Sequence, residues 1–267
     1  MSERFSLHKI QDKNKIPFSA SDYSRFKYGD AAIAHRFGSD LAQAFIAAYQ
    51  EYALLPKLNL FPSPYQFIPT ATFPLAVSFL YQLNAFRLQY DLPAAKFSRI
   101  YRHTTYTQDY GLMSAEMRRK LIGADMFDFE GVRSEDEFLI MIDDILITGS
   151  HEFVVGKALG SAGYQNRHIY LYFAELTNPE IDPSIENELN YAFVRSPKDF
   201  EDIMLNADFQ FNTRNIKFLL GLKTGRFLEL VTKLTPDQLK SFETLAVGND
   251  YHLKPEFRDN LLKIIEK

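Results

Sequence analysis

The chain has 267 residues, of which 46% are hydrophobic and 24% charged, as is typical of one large globular domain or of one domain with an extension. Its formal net charge of −4 disfavours a general nucleic-acid-binding protein, and the absence of cysteine excludes disulfides, thiolate zinc sites and cysteine nucleophiles. The first residues lack the apolar core of a signal peptide and no apolar run reaches membrane-spanning length, so we expect a cytoplasmic protein with no membrane partner.

The N-terminal segment divides into a polar part and a helical part. Residues 1–28 are polar and are predicted to form an irregular arm. A helix is predicted from Asp30 to about Tyr52, because apolar residues recur there at every fourth position. These residues are Ile33, Phe37, Leu41 and Phe45. The helix should end before Pro56, since a proline disfavours helical geometry in the residue that precedes it.

A strand–loop–helix unit is predicted next. Tyr65–Ile68 is predicted to be a short strand, followed by the proline-bounded loop Pro69–Pro74 and a mostly buried helix over residues 75–88. In a parallel sheet this loop lies on the same rim as the other strand ends. Its polar side chains, Thr70 and Thr72, are candidates for ligand binding, although a plain connecting loop explains the segment equally well.

Cationic residues characterise the following segment. A strand is predicted over Ala94–Tyr101, which brings Arg102 towards the rim of the sheet. In the long polar stretch after it, Ser114–Leu121 is predicted to form a short helix that carries Arg118, Arg119 and Lys120. A cationic arm of this kind suits a polyanionic ligand, whereas a solvated helix face is the usual explanation of a charge run.

The stretch Phe138–Glu152 organises the rest of the chain. Its apolar start, Phe138–Ile142, has the length of one buried strand, and two adjacent acids, Asp143 and Asp144, stand where that strand is predicted to end. The turn Thr148–Ser150 then leads into residues at helical spacing. A turn at the start of a helix presents backbone N–H groups, so this arrangement predicts an anion-binding site. Acids beside an anion site match a ligand with hydroxyls and phosphate, such as a ribose 5-phosphate, and acids also hold Mg²⁺. An ordinary capped turn is the alternative.

This stretch resembles a known signature. The run Ile-Asp-Asp-Ile-Leu-Ile-Thr-Gly-Ser-His, residues 142–151, is similar to the phosphoribosyl pyrophosphate signature of type I phosphoribosyltransferases. The resemblance implies that Asp143 and Asp144 are the catalytic acids, which hold the ribose hydroxyls and Mg²⁺. It implies that the ribose 5-phosphate is bound by Ile147, Thr148, Gly149, Ser150 and His151. It also implies a pyrophosphate subsite, whose candidates are Thr70, Ala71, Thr72, Arg102, Arg118 and Arg119.

Two positions depart from the family pattern, and one branch matches best. Ser150 stands where a second glycine is common, and His151 stands where a Thr or Ser hydroxyl is usual. Upstream of the acids, several residues follow the order seen in the ComF-type competence branch of the family. They are Thr107-Gln108, Gly111-Leu112, Ala115-Glu116, Arg118, Leu121 and Gly123-Ala124. The similarity covers about residues 65–174, and the cysteine zinc module usual in that branch is missing from this chain.

The remaining pattern completes the predicted fold. Strands are predicted over Arg167–Phe173 and Asn190–Val194, and from Ser196 on the apolar spacing is helical, with a helix start at Thr235-Pro236. We therefore predict an α/β fold, a doubly wound and mainly parallel sheet of the phosphoribosyltransferase type with helical N- and C-terminal additions. The predicted division is 1–60 as arm and helix, 61–195 as the phosphoribosyltransferase-like core and 196–267 as a C-terminal helical appendage.

The resemblance implies a function. A phosphoribosyl group would pass from phosphoribosyl pyrophosphate, with Mg²⁺, to an unidentified base or amine, and pyrophosphate would be released. The alternative is a non-catalytic regulatory or accessory protein that binds a phosphoribosyl compound or nucleotide, including, by analogy alone, an accessory of DNA uptake. The expected partner is a small molecule, and the C-terminal helices are expected either to cover the mouth of the site or to form a homodimer face.

Overall fold

A five-stranded parallel sheet forms the centre of the protein. The computed structural model describes residues 3–103, 127–132 and 134–265. The strands are β1 (Glu3–Ile10), β2 (Leu58–Pro62), β3 (Lys96–Phe97), β4 (Arg99–Arg102), β5 (Phe127–Glu130), β6 (Phe138–Leu146) and β7 (His168–Leu176). The strand order in the sheet is β1-β7-β6-β2-β3, and β4 and β5 form a separate antiparallel ribbon.

Helices surround the sheet and continue beyond it. They are α1 (Ala20–Lys27), α2 (Ala31–Ala48), α3 (Gln50–Ala53), α4 (Thr72–Leu88), α5 (Ser150–Ser161), α6 (Ile185–Asn190), α7 (Pro197–Met204), α8 (Thr213–Leu220), α9 (Thr224–Val231), α10 (Pro236–Gly248) and α11 (Pro255–Ile265). A 3₁₀ turn spans Tyr251–Leu253. Within the described ranges, no helix combines the length and hydropathy that a membrane crossing requires.

Both faces of the sheet are buried, as the alternation along β6 shows. Ile140 and Ile142 belong to the core on one face, together with apolar side chains of α2 and α4. Leu139 and Met141 point the other way and pack with α5 and the β4–β5 ribbon. Successive strand residues face opposite sides, so a strand buried on both sides has no polar alternation. The predicted doubly wound, mainly parallel α/β fold is confirmed.

Close packing of α2 against α4 explains one break in the helical pattern of this sequence, the glycine at position 38. A Cβ atom there would lie 2.1 Å from the carbonyl oxygen of Leu75, so only glycine fits this contact. Ser78 Oγ donates to the carbonyl of His35 at 2.8 Å and tightens the same crossing. The predicted first helix is therefore confirmed as α2 followed by α3, and the predicted second helix as α4.

The chain leaves β2 and β6 in opposite directions. From β2 it runs through α4 to β3, whereas from β6 it runs through α5 to β7 on the other side. Because β2 and β6 are neighbours in the sheet, a crevice opens beyond their carboxyl ends. Open parallel sheets bind ligands at such a switch point.

Two predicted elements near the N-terminus are wrong. The predicted irregular arm contains strand β1 and helix α1, and β1 pairs in parallel with β7 at the edge of the sheet. Seven of the eight residues of β1 are exposed or only half buried, so its pattern in the sequence is weak. The predicted strand Tyr65–Ile68 is irregular, and the strand lies earlier, at β2. All five residues of β2 are buried, which removes the alternation that marks a half-exposed strand.

Two further strand predictions need correction. The predicted strand Ala94–Tyr101 consists of two short strands, β3 and β4, which belong to different sheets. The predicted strand Asn190–Val194 instead begins with the last residue of α6 and continues without regular structure. Val194 is buried there by the helices that follow, so its apolar character reflects helix packing and not a sheet.

The C-terminal helices share a second core, which includes Phe200, Leu219 and Phe242. Three of them, α7, α8 and α10, begin with capping boxes, and the predicted helix start at Thr235-Pro236 is confirmed. Tyr28 and Ile68 from the preceding part of the chain also join this core. The division into residues 1–60, 61–195 and 196–267 stays a prediction.

Glu201 is the centre of an ion-pair cluster in this second unit. Its carboxylate accepts hydrogen bonds from Lys233 at 2.9 Å, from Lys198 at 3.1 Å and from Arg226 at 3.0 Å. The bonds from Lys233 and Lys198 hold the pKa of the Glu201 carboxyl at about 2, below its usual 4.5. A lowered folded-state pKa stabilises the fold above the unfolded-state pKa, and this contribution is lost as the pH falls towards the folded-state value.

We therefore expect the cluster to make the protein acid-sensitive between about pH 4.5 and about pH 2. Thermal unfolding of wild type and Glu201→Gln, followed by circular dichroism from about pH 6 to about pH 3, checks this, because the variant lacks the titrating group. The variant should be less stable than wild type at the higher pH and lose less stability on acidification. Glu243→Gln on α10 is the matched control. Parallel pH curves for wild type and Glu201→Gln would contradict the expectation.

Candidate functional site

A cavity of about 190 Å³ opens at the switch point of the sheet. The segment after β2, the turn after β6 and the last residue of α1 all contribute to its lining. It is lined by Lys27, Ser63, Pro64, Thr70, Ala71, Thr72, Arg102, Asp143, Asp144, Ile145, Leu146, Ile147, Thr148, Gly149, Ser150, His151, Glu152, Tyr172 and Glu186. Every described residue that the sequence implicated in ligand binding is therefore in one place.

The two acids lie inside strand β6 and not after it, which corrects the predicted strand end. Asp143 is paired with Tyr172 of β7, and the strand continues to Leu146. Because adjacent strand residues face opposite sides, the two carboxylates point to different faces of the sheet. Each acid consequently has its own set of partners.

Asp143 points towards the start of α5. Its Oδ2 lies 2.6 Å from His151 Nδ1, and its Oδ1 accepts hydrogen bonds from Ser63 Oγ at 2.5 Å and from the backbone N–H of Asp144 at 2.9 Å. Thr72 Oγ1 lies 3.4 Å from the same oxygen. Burial by itself raises the pKa of Asp143, but the positive charge of His151 and these hydrogen bonds outweigh it and hold the pKa below its usual value. Asp143 is therefore an anion that is fixed from several sides.

Asp144 points towards α1. Its Oδ2 accepts hydrogen bonds from the Tyr23 hydroxyl and from the Lys27 ammonium group. Only 6% of Asp144 is exposed, and this burial raises the pKa of its carboxyl, with Lys27 acting in the opposite direction and Asp143 adding to the rise. The pKa of the Tyr23 hydroxyl is raised by burial and by the Asp144 charge, so Tyr23 stays a hydrogen-bond donor.

The turn Thr148–Ser150 connects β6 to α5. Gly149 has φ of +70°, a left-handed conformation that side chains with a Cβ rarely adopt, and it forms the N-cap of α5. Thr148 Oγ1 and Ser150 Oγ lie 2.9 Å apart. The unpaired N–H groups of the first helical turn carry partial positive charge, so the turn offers hydroxyls and N–H donors to an anion. With Ile147 and His151, this turn borders the cavity as one continuous segment.

The predicted pyrophosphate residues are only partly within the described ranges. Thr70, Ala71, Thr72 and Arg102 all line the cavity. Arg102 reaches it from β4, because the β4–β5 ribbon lies beside the loop after β2 through the bridge between Tyr65 and Tyr101. Arg118 and Arg119 lie outside the residues that the structure describes. Their assignment to the pyrophosphate end stays a prediction.

Several site residues could not be found from the sequence. Ser63 follows the end of β2, and the predicted strand begins seven residues after the start of β2, so the sequence does not mark Ser63 as a residue of the rim. Lys27 and Tyr23 reach the acids only through the tertiary position of α1, so no local pattern marks them. Glu152 and Tyr172 pair at 2.9 Å behind the acids, where Glu152 also forms a salt bridge with Arg4 of β1.

The acid pair suits Mg²⁺ in its chemistry. Mg²⁺ prefers oxygen ligands, keeps several waters and is commonly bound by one or two carboxylates plus substrate phosphates. Asp143 and Asp144 provide two carboxylates at a cavity that the Thr148–Ser150 turn also lines. Within the described part of the chain, no group of three or more His, Asp or Glu side chains is arranged to hold a metal ion.

Three solved structures resemble this fold weakly. A hypoxanthine phosphoribosyltransferase from Staphylococcus aureus is 10% identical, with a TM-score of 0.32 and 53% of this chain and 74% of that chain covered. The hypoxanthine phosphoribosyl transferase of Trypanosoma cruzi is 12% identical, with a TM-score of 0.35 and coverages of 56% and 77%. A glutamic acid mutant from an analysis of an invariant aspartic acid in HPRTs is 12% identical, with a TM-score of 0.35 and coverages of 56% and 80%.

The sequence of the protein matches a family profile over almost its whole length. No curated protein matches the chain. The profile of the family described as PRTase ComF-like matches residues 1–264, which is almost the whole length and more than the 65–174 on which the resemblance was based. The match confirms that resemblance. The chain belongs to the PRTase ComF-like family.

Proposed function

We propose that the protein binds phosphoribosyl pyrophosphate with Mg²⁺ and transfers the phosphoribosyl group to a base or amine, with release of pyrophosphate. The observation that carries this proposal is the meeting of the acid pair and the Thr148–Ser150 turn in one cavity at the switch point. A sugar phosphate needs both, since carboxylates accept from hydroxyls whereas N–H groups at a helix start bind phosphate. Family membership supports the same class of reaction.

The 5-phosphate would occupy the turn after β6. Thr148 and Ser150 would donate their hydroxyls, and the N–H groups at the start of α5 would complete the cradle around Gly149. His151 Nδ1 already contacts Asp143, so its other ring nitrogen, Nε2, is the one proposed to face the phosphate. Ile147 would contribute backbone and an apolar wall.

The ribose hydroxyls would face the acids. Both described partners of Asp144, Tyr23 and Lys27, contact Oδ2, so Oδ1 is the oxygen proposed to accept a ribose hydroxyl. Asp143 is oriented by Ser63 and His151, and its lowered pKa keeps it an anion that accepts hydrogen bonds at neutral pH. The pyrophosphate end would extend towards Thr70, Thr72 and Arg102, with Arg118 and Arg119 proposed to join it.

The reaction needs positioning more than covalent help. A lone pair of the acceptor nitrogen attacks the anomeric carbon, the bond from that carbon to pyrophosphate breaks, and its electron pair leaves with the pyrophosphate oxygen, while the acceptor's proton passes to a base or to water. The fixed carboxylates of Asp143 and Asp144 stabilise the positive charge that develops on the sugar. When bound, Mg²⁺ would be held by these two acids and would neutralise charge on the leaving pyrophosphate.

Calorimetry and a pyrophosphate-release assay test the proposal. We expect saturable binding of phosphoribosyl pyrophosphate that strengthens with Mg²⁺, and pyrophosphate release with at least one member of a panel of nucleobases and amines. Ribose without phosphate is the matched ligand control and should not bind measurably. Absence of binding with and without Mg²⁺ would contradict the assignment of the cavity.

A non-catalytic binder is the second candidate. It is favoured by one observation, namely that each acid already contacts a basic side chain of the protein, Lys27 for Asp144 and His151 for Asp143. Binding with Mg²⁺ but no pyrophosphate release across the panel would select this alternative. The cytoplasmic location and the homodimer stay predictions.

A further inference from the structure

Helix α1 delivers a lysine into the cavity from a part of the chain far from the acid motif. Lys27 is the last residue of α1, and its side chain is only 14% exposed. Its ammonium group contacts Asp144, 117 residues away in sequence, and lines the same cavity as Thr70 and Thr72. A lysine that is this enclosed has lost most of its contact with water, so its charge must be matched by groups in the site.

The position of Lys27 is fixed at both ends. Its carbonyl accepts a hydrogen bond from Asn212 Nδ2 at 3.2 Å, and its ammonium group lies 5.7 Å from the ring centre of Tyr23, one turn earlier in α1. The helix is anchored by Ser24, whose hydroxyl donates to the carbonyl of Asn190 at 2.7 Å. An ordered cation of this kind loses little conformational entropy when a ligand arrives.

The segment that follows β2 and leads into α4 offers no positive charge to a polyanion. Residues 69–74, Pro-Thr-Ala-Thr-Phe-Pro, contain no basic side chain. Among the described residues around the cavity, the lysine and arginine side chains are Lys27 and Arg102. An ammonium group has three N–H donors, and within the described ranges Asp144 is the one hydrogen-bond acceptor of Lys27 Nζ. Lys27 can therefore keep Asp144 and donate to a second anion.

We propose that Lys27 is a ligand of the diphosphate end of the substrate and joins that diphosphate to Asp144. This inference rests on the proposed function and adds a residue to it. Charge-assisted hydrogen bonds to phosphate oxygens are short and about twice as strong as neutral ones. One largely enclosed ammonium group is therefore expected to contribute strongly to the affinity for a diphosphate. The 5-phosphate, bound at the turn after β6, has its own donors and does not depend on Lys27.

Binding of two fragments separates these roles. For Lys27→Met we expect the dissociation constant of inorganic pyrophosphate to rise by about tenfold or more, while that of ribose 5-phosphate changes by less than about twofold. Lys57→Met, which removes an exposed lysine, should change neither constant. Lys27→Arg should restore part of the pyrophosphate affinity, since it returns the charge with a different shape.

Removal of Lys27 also leaves the buried Asp144 without its cation, so the fold needs its own control. The single variant Asp144→Asn is therefore compared with the double variant Lys27→Met/Asp144→Asn. In this background position 144 has no carboxylate, so the comparison tests lysine against methionine without leaving a carboxylate unpaired. Folding of both variants is checked by circular dichroism. The inference is overturned if pyrophosphate binds equally well with and without Lys27, or if both fragments weaken equally. If wild type does not bind phosphoribosyl pyrophosphate, the proposed function fails first. If wild type binds it and Lys27→Met is unaffected, only the role of Lys27 fails.

Discussion

Replacement of Asp143 and Asp144 together by asparagine is expected to weaken binding of phosphoribosyl pyrophosphate by about 100-fold or more. Each acid is proposed to accept a hydrogen bond from a ribose hydroxyl, and a hydrogen bond to a charged group contributes about 1.5–3 kcal/mol. Two such losses amount to about 3–6 kcal/mol, and every 1.4 kcal/mol or so is tenfold in affinity. Isothermal titration calorimetry with Mg²⁺ present measures the change.

Asparagine keeps the shape and one acceptor oxygen but removes the anion that pairs with Lys27, so circular dichroism is used to check that the variant is folded. That oxygen can still receive Ser63 at position 143 and Tyr23 at position 144. Asp136→Asn is the matched control, because Asp136 is an exposed acid that forms a surface pair with Lys57. If the double variant is folded and binds phosphoribosyl pyrophosphate as tightly as wild type, the acid pair does not take part in binding.

The largest expected effect on stability is that of Arg87→Met. Arg87 of α4 is completely buried, and its guanidinium donates to backbone carbonyls of the neighbouring connections. These acceptors are Ala53 at 2.7 Å, Leu55 at 2.7 Å, Pro56 at 3.3 Å and Pro93 at 2.7 Å. Methionine fills much of the volume but satisfies none of them, and a buried carbonyl without a donor costs about 1–3 kcal/mol. We expect a loss of about 3–5 kcal/mol in the free energy of unfolding.

Urea denaturation followed by circular dichroism measures this loss. The control is Arg36→Met on α2, where the arginine side chain is 53% exposed and pairs with Asp22 at the surface. Its removal should cost less than about 1 kcal/mol, as for other exposed ion pairs. Equal losses for the two substitutions would show that the carbonyl contacts of Arg87 stabilise the fold no more than an exposed ion pair does. Burial of Arg87 also lowers the pKa of its guanidinium group.

The local part of the site was predictable because it lies in one continuous stretch. Residues 138–151 contain an apolar strand, the acid pair and the turn into α5, and each follows from spacing alone. The exact end of the strand did not follow. β6 continues through Asp143 and Asp144 to Leu146 because it pairs with β7. This pairing depends on the tertiary structure, so local sequence does not reveal it.

The distant part of the site was not predictable from the pattern of residues. Strand β2 is buried on both faces, so Leu58–Pro62 has no alternation to mark it, and the nearby aromatic run at Tyr65 was predicted instead. The predicted strand begins after Ser63 and so does not place Ser63 at the rim of the sheet, whereas in the structure Ser63 contacts Asp143. Lys27 could not be assigned at all, since its role depends on α1 reaching across 117 residues of sequence.

The pairing of β1 with β7 sets an order on how this chain acquires its structure during synthesis. Residues Glu3–Ile10 leave the ribosome well before their partner, His168–Leu176, which follows more than 150 residues later. Until then the first strand has no edge to join. Assembly therefore requires a late, long-range closure, which slows folding and leaves an open strand edge in any chain that stops short of β7. Nascent chains that end before residue 168 are thus the ones we expect to depend most on chaperones.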